Sequence, residues 1–180
     1  ESKILFFHTQ FQLAVYQDKN FDLGAEYLQK ILFLLEKEPV FLQENTNIYI
    51  STTNKLINLF LHTKNYLVIP ALLEKIRELP ETYQLKTSHP ETLKGLLQSY
   101  LYELELYKHT GQTKLAMQLI HKIENFLKTH NYPTAKTLLP QFYFLFAWFN
   151  FSHNNHSIAI SYLKKLFKIS PHLTKEVILG

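Results

Sequence analysis

His153-Asn154-Asn155-His156 is the only close pair of histidines in the chain. Two imidazoles at this spacing can share a metal ion, but the pair spans a turn and no neighbouring carboxylate completes a site. Metal binding is therefore not expected. His62 and His109 fall near the ends of helical stretches, where a helix C-terminus favours a cationic side chain. Capping is the preferred reading there, over a pH switch or a ligand contact. Glu103 and Glu105 are the nearest thing to a carboxylate pair, yet two residues apart on a helix they point to different faces, and no partner for acid–base work stands beside them. The 180 residues contain no cysteine, which removes disulfides and thiolate sites. A glycine-rich phosphate loop and a Ser or Cys nucleophile motif are also missing. These observations point to a chain that is not an enzyme and carries no cofactor.

The elements that would position any site are more informative. In Thr110-Gly111-Gln112-Thr113-Lys114-Leu115-Ala116, a turn is followed by apolar residues at Ala116, Leu119, Ile120, Ile123 and Leu127, the spacing of one helix face. Upstream, Tyr100, Leu104 and Tyr107 form a stripe that ends at the same turn. This is two antiparallel helices joined tightly, with Ala116 allowing a close crossing. Lys19–Gly24, Lys64–Ile69 and Asn154–Ala159 align with Gly111–Ala116, and their last residues are 45, 47 and 43 positions apart. Four residues on stand Leu28, Leu73, Ile120 and Leu163; seven on, Ile31, Ile76, Ile123 and Leu166; and six on, Lys30, Lys75, Lys122 and Lys165. Such self-similarity marks a repeat array, because one helix pair cannot bury its own apolar face and must lean on the next. The expectation is an all-α fold: a right-handed α-solenoid of about four antiparallel helix pairs, with units at about 1–40, 41–86, 87–132 and 133–171 of one domain and the start of a fifth at 172–180.

The pattern of glycine, amide and aromatic or threonine, then a small residue, then Leu or Ile four and seven positions later resembles the tetratricopeptide repeat. The period is longer than that family's value of about 34 residues. Asn54 to Pro80 with the third unit is similar to uncharacterised tetratricopeptide-like proteins of Bacteroidetes bacteria. The resemblance implies a bacterial protein-binding scaffold whose first helices line a concave groove. Its ligand-facing positions, carried onto this chain, are Asn54 and Asn58 in unit two. In unit three they are Gln98, Leu101, Glu105 and Lys108, and in unit four Gln141, Phe144, Trp148 and Phe151. Asn54 and Asn58 are expected on one face of an apolar helix. Core or interface packing is the simpler role for the three aromatics.

Several boundaries follow from the punctuation. Leu5, Leu13 and Tyr16 are expected to face Leu28, Ile31 and Leu35. Pro39 and Pro80 are expected to end helices, and Pro70 to sit in a first turn. Pro140 either opens a helix or kinks one that begins near Thr134.

The formal charge is +4, with a pI near 9.1, but Arg77 is the sole arginine. Lysines spread over solvated faces explain the charge better than a nucleic-acid groove, which would favour clustered arginine. The longest apolar run, Phe142–Phe151, falls short of the roughly 18–20 residues that span a bilayer. Glu1 in place of an initiator methionine reads as a fragment of a longer chain, and the compartment expected is the cytoplasm. The expected partner is a protein or peptide. A nucleic-acid-binding or regulatory module built on a ridge of Lys30, Lys75, Lys122 and Lys165 is the alternative, as is self-assembly into a homo-oligomer through the apolar fourth unit.

Overall fold

Each of the four aligned turns carries one left-handed residue. Lys19, Lys64, Gly111 and Asn154 all lie in the left-handed region, with φ of 54°, 61°, 71° and 62°. In three turns the next N–H donates to the carbonyl five residues back: Asn65 to Phe60 at 2.8 Å, Gln112 to Tyr107 at 2.9 Å and Asn155 to Asn150 at 2.8 Å. This is the Schellman closure, which satisfies the last carbonyls of one helix while reversing the chain. The first turn differs by one residue, with Asn20 N–H donating to Ala14 at 2.8 Å across six positions. The reason lies upstream, where Leu13–Gln17 forms a π turn that inserts an extra residue.

The computed structural model describes residues 2–83, 90–129 and 136–171. Among these, every regular element is helical and no strand occurs. In order they are α1 (Ser2–Gln12) with its π turn, α2 (Phe21–Glu36), α3 (Pro39–Glu44), α4 (Thr46–His62), α5 (Ile69–Thr82), α6 (Pro90–Thr110), α7 (Thr113–Thr129), α8 (Leu139–Ser152) and α9 (His156–Ile169). A 3₁₀ turn, Tyr66–Val68, leads into α5. The expected start of a fifth unit at 172–180 and the interruption at Asn131-Tyr132-Pro133 lie outside the described residues, as does most of the connection before Pro90. The chain forms two compact units, Glu1–Ser99 and Tyr100–Gly180, with the boundary inside α6.

In the first unit α1 packs on α2, α2 on α4 and α4 on α5; in the second, α7 packs on α8 and α8 on α9. The aligned positions fill these contacts. Gly24, Ile69, Ala116 and Ala159 are buried just after the turns, as are Ile31, Ile76, Ile123 and Leu166 seven residues later. The second unit is centred on Phe142, Phe146 and Phe149, all fully enclosed.

Several boundaries differ from the sequence expectation. Leu5, Leu13 and Tyr16 are exposed rather than packed on α2. The inward stripe is instead Ile4, Phe7, Phe11 and Ala14, of which Phe11 and Ala14 are buried. The first segment is apolar on two faces, so periodicity alone did not choose between them. Pro80 lies inside α5, which continues to Thr82; so near the end, its missing N–H removes a single bond and Tyr83 N–H still reaches Leu79 at 3.0 Å. Pro39 opens the short helix α3, and Asn45 separates α3 from α4. Pro70 and Pro140 both fall in first turns.

An L-residue held in the left-handed region is strained, and glycine is not. Lys64→Gly is therefore expected to stabilise the protein by about 0.5–1 kcal/mol after glycine's extra backbone entropy is subtracted, and Gly111→Ala to destabilise it by about 1 kcal/mol. Urea unfolding of both variants checks this; a loss of stability in Lys64→Gly contradicts the shared turn geometry.

One polar cluster ties the first unit together. The Tyr49 hydroxyl and the Lys75 ammonium both donate to Glu36 Oε1, each at 2.7 Å. Burial pushes the Glu36 carboxyl up, but the hydrogen bonds from Lys75 and Tyr49 outweigh it and hold the group below its ordinary value. A carboxyl with a depressed folded-state pKa contributes stability above its unfolded pKa, and that contribution disappears as pH falls through the folded value. Tyr49→Phe is thus expected to flatten the acid limb of the stability–pH curve, read by urea unfolding from neutral pH downward. An unchanged limb contradicts this role for the hydroxyl.

Candidate functional site

Nearly every residue of α8 is apolar, so the helix has more greasy surface than one interface can bury. Phe142, Leu145, Phe146 and Phe149 face inward. Gln141, Phe144, Trp148 and Phe151, spaced by three, four and three residues, form a single stripe on the other side. Phe144 is 50% exposed, Trp148 37% and Phe151 64%, so these rings are not core. Aromatic rings aligned in solvent on one helix face are the kind of feature that marks an interaction surface in a protein able to bury their neighbours.

Charged groups of α6 border this stripe. Lys108 Nζ lies 3.0 Å from Glu105 Oε2 and 6.0 Å from the centroid of the Trp148 ring. His109 Nε2 stands 4.0 Å from the same carboxylate oxygen. Ion pairs at a protein surface are worth about 0–1 kcal/mol and cation–π contacts there about 0.5–1 kcal/mol. Such terms do little for stability, but they hold Lys108 over the face of the Trp148 ring. Below, the Trp148 ring meets Phe149 edge-on at 4.9 Å between centroids. Phe151 neighbours His156 at 5.1 Å, which places that histidine beside the stripe. The result is an apolar face with an anion and a cation along one margin, suited to an amphipathic chain.

The sequence-derived candidates thus separate. Glu105, Lys108 and Trp148 come together, with Gln141, Phe144 and Phe151 along the same stripe. Leu101 is buried in the same unit. In the first unit Gln98 is half-buried and Asn58 exposed. Asn54 is buried, and its carbonyl oxygen has no hydrogen-bond partner among the described residues. Two asparagines four residues apart on α4 therefore meet different surroundings. His62 packs edge-on against Phe21, with centroids 4.6 Å apart. No group of three metal-ligating side chains occurs among the described residues. Nor is any described helix long and apolar enough to cross a membrane.

The repeated lysines have a local use that sequence reading missed. Lys30 sits 5.1 Å from the Tyr27 ring and 5.8 Å from Phe7; Lys165 sits 4.9 Å from Tyr162 and 5.8 Å from Tyr143; Lys122 sits 5.5 Å from Tyr100. Lys75 instead joins Glu36 at 2.7 Å. Three of the four ammonium groups rest on rings of their own helix pair, and that of Lys75 on a carboxylate of α2. Tyr-x-x-Lys at Tyr27 and Tyr162 was the signal available. Tyr162 further donates to Glu124 at 2.7 Å. Burial, with that bond next, pushes the Tyr162 phenol well above its ordinary range.

No family model matches the chain, and no curated protein or solved structure matches it either. What the structure shows is the architecture: among the described residues the chain is all-helical, and four of its interhelical turns each carry one left-handed residue.

Proposed function

We propose that this protein is a non-catalytic interaction scaffold, a lengthened tetratricopeptide-like array that binds a peptide or helix of another protein. The exposed stripe Phe144–Trp148–Phe151 with Lys108 and Glu105 at its margin carries the reading. An amphipathic partner would set apolar residues at helical spacing on the three rings and a carboxylate near Lys108. Aromatic anchors of this kind dominate binding energy in small interfaces. The recurring turns, and the packing of second helices on the next first helix, support the solenoid side of the proposal.

Trp148 is the sole tryptophan, which makes its emission a direct reporter of the surface. Peptides selected by display on the whole chain are expected to shift that emission on binding and to lose about a hundredfold or more in affinity against a Phe144→Ser/Phe151→Ser variant. Selected peptides that bind without touching the emission, and equally well to the variant, would place the partner elsewhere.

A further inference from the structure

A cavity lies in the first unit. It measures about 470 Å³ and is walled by α1, α3 and α4. That volume falls in the range of small-molecule sites, about 300–1,000 Å³. Ile4, Leu5, Phe41 and Ile48 supply apolar wall, and Asn47 and Ser51 lie on its exposed margin. Lys55 reaches into it and donates to His8 Nε2 at 2.7 Å. An ammonium has no acceptor, so His8 presents its Nε2 lone pair and is held neutral. Burial pulls the Lys55 ammonium below its ordinary range; burial, followed by the charge of Lys55, does the same to His8.

Charge balance is the point of interest. Lys55 has no carboxylate partner among the described residues. The part-buried Lys108, by contrast, pairs with Glu105 at 3.0 Å. A desolvated ammonium whose one partner among the described residues is a neutral imidazole is costly unless an anion joins it. We infer that this pocket binds a small carboxylate with an apolar body, the carboxylate on the Lys55 ammonium and the chain along Ile4, Leu5, Phe41 and Ile48. His8 fixes the direction of the ammonium and leaves its remaining N–H groups for the ligand.

Octanoate, octanol and octylammonium share one chain and differ in head group, so calorimetric titration of each into the whole protein separates charge from greasiness. Octanoate is expected to bind saturably, about tenfold or more tighter than octanol, and octylammonium not at all. Lys55→Met keeps the length of the side chain and should erase the preference for octanoate while leaving thermal stability equal or higher. Ile48→Glu, at a half-exposed position, sets a rival carboxylate at the mouth and should also abolish octanoate binding. The proposal is overturned by octanoate binding no tighter than octanol, by no octanoate binding at millimolar concentration, or by affinity that survives both substitutions.

Discussion

Phe146→Ala is expected to destabilise the protein by about 3–5 kcal/mol, the range for removing a fully buried aromatic ring from a core. The ring is completely enclosed, lies edge-on to Tyr162 at 5.3 Å and leans on Phe142 at 5.7 Å. Its loss leaves a hole between α8 and α9 that stiff neighbours cannot fill, so a cavity term adds to the lost transfer energy. Phe144→Ala, two residues away on the same helix, is expected to change stability by no more than about 0.5 kcal/mol, because half of that ring is already in water. Urea unfolding of the two variants makes the contrast. Two aromatic residues that sequence treats alike should then differ several-fold in their effect, and equal losses would show that the stripe is core.

Gly95→Ala is the second large effect, and its direction is the test. In an isolated helix this change stabilises by about 0.5–1 kcal/mol. Here a methyl group at position 95 would overlap Ile50 Cγ2, at the point where α6 approaches α4. Ile50 is buried and β-branched, so its Cγ2 cannot swing aside cheaply. Overpacking of this kind costs about 1–3 kcal/mol, which outweighs the helix gain. The net expectation is a loss of about 1–2 kcal/mol. Leucine has no methyl branch at Cβ, so in an Ile50→Leu background Gly95→Ala should become neutral or stabilising. This sign reversal in a double-mutant cycle isolates the contact; a stabilising Gly95→Ala in the unaltered protein would mean the helices are not that close.

What could be read in the chain, and what could not, follows from the physics of each signal. The four turns were legible through the apolar residues that follow them; Gly111 and Asn154 are types that tolerate positive φ, whereas Lys19 and Lys64 announce no turn by themselves. The apolar positions four and seven residues later were legible because one face of each second helix must be buried. The phase of α1 was not, because Leu5, Leu13 and Tyr16 form as good a stripe as Ile4, Phe7, Phe11 and Ala14, and the π turn shifts the register. Periodicity could not choose the outward face of α8, because a helix apolar all round has no pattern to betray which side faces the core; only the resemblance set Gln141, Phe144, Trp148 and Phe151 on one face. The His8–Lys55 pair left no trace, since its members are 47 residues apart and belong to no motif.

The scaffold reading rests on the outward stripe of α8 being a place where a partner sits. Parallel display selections on the whole chain and on a Phe144→Ser/Trp148→Ser/Phe151→Ser variant, with matched urea unfolding curves as the control for folding, address it directly. Peptide families enriched on the unaltered protein should vanish on the variant while its unfolding midpoint stays close to the original. The same families recovered from both proteins would contradict the assignment of this face.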